Sequence, residues 1–227
     1  MKFATLLVSL AIVVAACSTS TTPDNATTTS MPRVGSTYTY ETYDTDTNGA
    51  VVAGSEKTHT DSVVASGIVF DDETDVWVVK GSNTDSSFYS VDKYNDIVVR
   101  GSSWDAWYDQ VWIRMPITSS VSSNLFNIDR DNVNGVVVET TRRIASERVS
   151  EEQVTISGTQ VRTVKIKITV SRVVTQNGTV VSDYSTFHYY WFAPSLGVTV
   201  RIETPSQIIF GKKLKGAIEM LKSYTLK

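Results

Sequence analysis

The sequence predicts an all-β domain, and three observations carry the prediction. The clearest is alternation: Val164, Ile166, Ile168 and Val170 fall on one face, Lys165, Lys167 and Thr169 on the other. That is the period of a half-buried antiparallel strand. Turn signals also recur at intervals of about 8–15 residues. The sharpest is Asn177-Gly178, a pair suited to a two-residue hairpin turn with positive φ at both positions. Finally, Val, Thr, Ile and Tyr dominate the alternating stretches, the residues that pack best on a pleated surface. A single sheet, a sandwich and a barrel all satisfy this pattern.

Composition narrows the function. The 227 residues carry 21 basic and 24 acidic side chains, a formal net charge of −3. Such a balance gives no reason to expect a nucleic-acid or acidic-membrane partner. Cys17 is the single cysteine, so an internal disulfide is impossible and a cysteine-based metal site nearly so. Only His59 and His188 supply imidazole. No cofactor or metal is expected.

The chain opens "MKFATLLVSLAIVVAAC". Lys2 precedes an apolar run, Phe3 to Val14, of signal-peptide length and too short to span a bilayer as a mature helix. "VAAC" resembles the bacterial lipobox. That resemblance implies removal of residues 1–16 and acylation of Cys17, palmitate being a typical chain, with membrane lipid as a partner. Several acyl chains, each methylene contributing about 0.8 kcal/mol, anchor stably where one chain is marginal. Ser18 is not the Asp of inner-membrane retention, which points to the outer membrane in a cell with two. Ser18 to Ser30 is Ser/Thr-rich with no large apolar side chain, so residues 17–33 read as lipidated cysteine plus flexible tether. The domain then covers 34–227.

Within it, "STYTYETYD", "THTDSVVAS" and "DVWVVKGS" read as strands, and "SFYSVDKYNDIVVRGS" as two strands joined around "KYND". "WDAWYDQVWIRM" spaces its aromatics as a short helix would, leaving residues 102–116 open between helix and strand. The tail from Lys212 is either an amphipathic helix or a last strand, and Gly216 favours the strand.

Residues 147–203 run "ERVSEEQVTISGTQVRTVKIKITV", with a turn read at Gly158-Thr159, then a hairpin, then "YWFAPSLGVTVRIE". This order resembles a loosely defined set of bacterial envelope proteins that includes those called TapB-like. The resemblance covers about a quarter of the chain and implies a curved antiparallel sheet, half-barrel-like. The likeness to the lipoprotein carriers LolA and LolB is architectural only. Ser195-Leu196 departs from the small residue expected before the glycine of that segment.

Several stretches could carry chemistry. "DTDTNG" at 44–49 matches the start of an EF-hand calcium loop, but Ser55 stands where the bidentate Glu belongs, and a polar hairpin loop explains it better. "DDETD" at 71–75 reads as a solvated loop. His59, between Thr58 and Thr60, reads as solvent-facing, and no Gly-x-Ser-x-Gly elbow is present. Trp104, Trp107 and Tyr108, set among Gly, Ser and Asp, are the candidate ligand-binding residues. In "YYWFAPSLGV" the aromatics alternate between two faces, the strand ends at Ala193 before Pro194, and Pro194–Gly197 forms a turn. The expectation is a non-catalytic binding or assembly module engaging another envelope protein. The alternative is a carrier holding a small hydrophobic ligand in a half-barrel cavity; an enzyme acting on envelope glycans is the least supported.

Overall fold

The computed structural model describes residues 28–81, 85–101, 111–119 and 123–227. Among these, every regular element is a strand: β1 (Thr37–Thr45), β2 (Lys57–Phe70), β3 (Glu73–Lys80), β4 (Ser86–Val91), β5 (Ile97–Gly101), β6 (Ile113–Met115), β7 (Ser123–Val133), β8 (Val136–Ile156), β9 (Thr159–Gln176), β10 (Thr179–Ala193), β11 (Val198–Thr204), β12 (Gln207–Ile209), β13 (Lys212–Leu214) and β14 (Gly216–Thr225). All but β12 and β13 join one antiparallel sheet in the order β6-β5-β4-β3-β2-β1-β14-β11-β10-β9-β8-β7. Two meanders, β1 to β6 and β7 to β11, are thus joined through β14, which sits between β1 and β11.

The sheet curls further than a half-barrel. Its terminal strand β6 lies against β7 and β8, and the Ser146 hydroxyl of β8 donates to the Arg114 carbonyl of β6 at 2.5 Å. Asp96, fully buried, holds the stretch after β6 by accepting from the Thr118 and Ser119 amides at 2.8 and 3.0 Å. It also pairs with the Arg114 guanidinium at 2.9 Å. The barrel is therefore nearly closed, with a seam made by side chains.

Local chemistry explains the hairpins. Asn134-Gly135, Ser157-Gly158, Asn177-Gly178 and Phe210-Gly211 each have positive φ at both positions, the requirement of a type I′ turn. Ser157-Gly158 places the β8–β9 turn one residue before the Gly158-Thr159 read from sequence. Residues 113–115 form strand, so the helical spacing of the tryptophan-rich stretch does not extend through them. The tail forms β14, whose Leu221 is buried opposite Tyr40. Residues 28–33 pack on the barrel instead of extending the tether: the Ser30 amide donates to the Pro194 carbonyl at 2.8 Å and the Ser66 hydroxyl to the Pro32 carbonyl at 2.8 Å. Cys17 and the expected signal peptide lie outside the described residues.

Candidate functional site

One end of the barrel is packed solid around the corner between β10 and β11. Its amides at Leu196 and Gly197 both donate to the Ala193 carbonyl, at 3.0 and 2.9 Å. Three of its carbonyls accept from aromatic side chains inside: Leu196 from Tyr38 at 3.0 Å, Gly197 from Trp77 at 2.9 Å and Thr199 from Tyr40 at 3.0 Å. Buried backbone acceptors need such partners, and the sequence supplies a polar-tipped aromatic for each. Gly197 has φ +66°, and a Cβ there would stand 2.4 Å from the Ser30 carbonyl oxygen. Only glycine allows both that backbone angle and that approach.

Beyond this plug the interior is not filled. A cavity of about 560 Å³ opens to solvent from the concave face, within the range of small-molecule sites. Its wall is apolar around Val79, Val99, Ile144 and Ile168. Polar groups are set among these: Asp61 of β2, Glu219 of β14, and Tyr40, Tyr89, Tyr184 and Tyr190. His59 belongs to this group, which corrects its reading as solvent-facing. It sits opposite Tyr40 in the β1–β2 ladder, stacks on that ring with centroids 5.3 Å apart, and is half-buried. Its Nε2 lies 3.7 Å from both Asp61 Oδ1 and Glu219 Oε2.

The electrostatics follow from burial. Desolvation pushes the Asp61 carboxyl up to about 6; the His59 imidazole opposes that shift and Glu219 reinforces it. Desolvation also raises Glu219, opposed by His59 and by the Thr42 hydroxyl, which donates to it at 3.3 Å. Burial raises the Tyr190 phenol to about 12. It holds the His188 imidazole below its ordinary range, where Nδ1 lies 2.9 Å from the Thr204 hydroxyl. The site thus offers hydrogen-bond acceptors and donors set among hydrocarbon. That suits an amphiphile with a donating or cationic head.

The aromatic run 189–192 divides as its alternation requires. Tyr190 faces the cavity. Tyr189 and Trp191 lie on the outer face beneath Lys165, whose Nζ is 4.7 and 4.6 Å from their centroids. Trp191 is only 2% exposed and donates to Glu152 at 2.7 Å. Outer-face tryptophan here is packed structure under cations. "DTDTNG" folds as a loop in which Asp46 accepts from the Asn48 and Ala50 amides at 2.7 and 3.0 Å, the self-capping of an Asx turn. "DDETD" spans the β2–β3 turn, and Asp71 pairs with Arg100. Trp104, Trp107 and Tyr108 lie outside the described residues. Asp61, Glu219 and the four cavity tyrosines were not singled out as site residues by sequence. The one available signal was the inward series His59, Asp61 and Val63, legible only once the inward face of β2 is known.

Fold and site together define a curled antiparallel barrel with a solvent-open, amphipathic cavity. No family model matches the chain, and no curated protein matches it. Two solved structures are similar at low level. A protein assigned as a lipoprotein, from Parabacteroides distasonis ATCC 8503, is 10% identical over 86% of this chain and 96% of its own, with a TM-score of 0.39. An exported protein with a YmcC-like fold, from Bacteroides fragilis NCTC 9343, is 12% identical over 87% of this chain and 99% of its own, with a TM-score of 0.37.

Proposed function

We propose that this is a non-catalytic binding protein of the bacterial cell envelope, tethered to the outer membrane through acylated Cys17, which carries a small amphiphilic molecule in its barrel. The observation that supports it is the cavity of about 560 Å³, since a packed concave face would leave a carrier nowhere to hold cargo. The cargo's apolar body would lie against Ile144 and Ile168, its head toward Asp61 and Glu219. The lipobox-like "VAAC" and the TapB-like order of residues 147–203 support the envelope setting.

The test is native mass spectrometry of protein extracted gently from membranes, beside an Ile144→Trp variant whose indole would occupy the cavity. A bound amphiphile in the parent, lost in the variant at unchanged melting temperature, is expected. Equal adducts in both proteins, or none in the parent, would sink the carrier reading. A Cys17→Ser chain that stays in the membrane fraction as before would remove the lipid anchor. A second reading, an assembly module, is favoured by the terminal strand β7, where Phe126 and Ile128 are exposed on one face. Such edges accept added strands.

A further inference from the structure

The β12–β13 hairpin stands apart from the barrel sheet and is built unlike the other hairpins. Its type I′ turn carries Phe210 at φ +50°, where the comparable turns carry Asn134, Ser157 and Asn177. A bulky residue is rare in that backbone region, and asparagine would be favoured there. The phenyl ring does not find a core. Ile208, Phe210 and Leu214 are 70%, 66% and 44% exposed, and Lys212, Lys213 and Lys215 beside them are exposed as well.

The hairpin is nonetheless held in place. The Gln207 side chain pairs with both backbone groups of Phe187, accepting from its amide at 2.9 Å and donating to its carbonyl at 3.0 Å. The Ser206 hydroxyl donates to the Asp46 carbonyl at 2.6 Å, and Lys213 reaches Asn48 Oδ1 at 3.1 Å. The Asp46 carboxylate is turned into its own loop; Lys213 is near enough to help lower its pKa, but as the smallest of the influences on it. Phe210 meets the Tyr184 ring edge-on at 5.3 Å, and Tyr184 lines the cavity. An apolar tip flanked by lysines is therefore braced at the cavity's edge.

We propose that this hairpin docks on an anionic lipid surface, with Ile208 and Phe210 entering the acyl boundary and the lysines meeting the headgroups. Apolar area and basic charge act together in interfacial binding. Each lysine near an anionic surface strengthens attachment about fivefold. The charge complementarity favours a bilayer over a neutral protein partner. Docking would set the cavity edge against the membrane, but the proposal does not depend on what the cavity holds.

The test places an environment-sensitive fluorophore at Phe210→Cys in the full chain, in a Cys17→Ser background so that the label attaches once. A Thr159→Cys label serves as control. Thr159 is exposed at the start of β9, while Tyr184 beneath Phe210 pairs with Arg172 further along that strand, roughly 40 Å away at the usual strand rise. Vesicles are phosphatidylcholine alone or mixed equally with phosphatidylglycerol, some carrying a nitroxide lipid. The 210 label is expected to shift blue and be quenched only in the anionic vesicles. Changing all three lysines to Gln should weaken that response about a hundredfold. The 159 label should not respond. Equal responses at 210 and 159, equal responses in both vesicle types, or no response would overturn the proposal. A blue shift without vesicles that grows with protein concentration would assign the tip to self-association and overturn it too. Loss of cavity ligand would leave these readings unchanged, so the two ideas fail separately.

Discussion

The phenol of Tyr38 donates to the carbonyl oxygen of Leu196 at 3.0 Å, across 158 residues of sequence. Tyr38 is fully buried, and its burial raises the phenol to about 12, so the proton stays on the oxygen at any pH the fold will meet. Tyr38→Phe keeps the ring and orphans the carbonyl. The expected loss is about 1–3 kcal/mol, the usual cost of a buried unsatisfied acceptor. Denaturant unfolding at unchanged slope measures it; an unaltered midpoint would mean the carbonyl finds another donor.

Gly197 is the strictest position in that corner. Gly197→Val meets both the left-handed φ and the Ser30 carbonyl, and a loss on the order of 3 kcal/mol or more is expected. Gly135 is the control: its φ is +84° but nothing lies within 4 Å of an added Cβ. Gly135→Ala should cost only about 1 kcal/mol. Equal melting temperatures for the two variants would remove the close approach as the cause.

Asp61 sets a pH dependence. Its folded-state pKa, about 6, lies above the ordinary carboxyl value of 3.8. The folded protein therefore holds more protons than the unfolded chain between those values. Stability attributable to Asp61 is full below about 4 and falls as pH rises through about 6. Glu219 shifts in the same direction. Asp61→Asn should raise stability by about 3 kcal/mol at pH 7.5 and leave it nearly unchanged at pH 4. Thermal melts of both proteins across that range check the sign. A variant less stable at neutral pH would show that the His59 contact outweighs desolvation.

Gln207 substitutes its side-chain amide for a strand partner at Phe187, where the β10–β11 ladder has ended at Tyr189 and Glu203. Gln207→Ala should speed hydrogen exchange at the Phe187 amide by roughly tenfold, the equivalent of about 1.4 kcal/mol of local opening. The Tyr190 amide should be untouched. Unaltered exchange at Phe187 would mean water or the hairpin backbone replaces the side chain.

Much of the scaffold was legible in sequence because it is local. The Val164–Val170 alternation became β9, Asn177-Gly178 became its turn, and Pro194–Gly197 became the corner, since each depends on neighbours a few residues away. The cavity was not legible, because it depends on register. Asp61 meets Glu219 only through β1, paired with β2 on one side and β14 on the other. The β1–β14 ladder also slips between Thr39 and Tyr40, which no alternation announces. His59 was misread for the same reason: flanking threonines say nothing about which face is concave. Phe210-Gly211 escaped notice because its first residue is not one that turns prefer.

The place of β14 governs how the molecule can be made. The strand that joins β1 to β11 follows both meanders in sequence. Until residues 216–225 leave the ribosome, the two meanders share no ladder, and each ends in an unpaired edge. Such a chain has long-range pairing still to form and is slow to commit to a fold. Joining of the two meanders waits for this strand, so strands made much earlier stay uncommitted until it arrives.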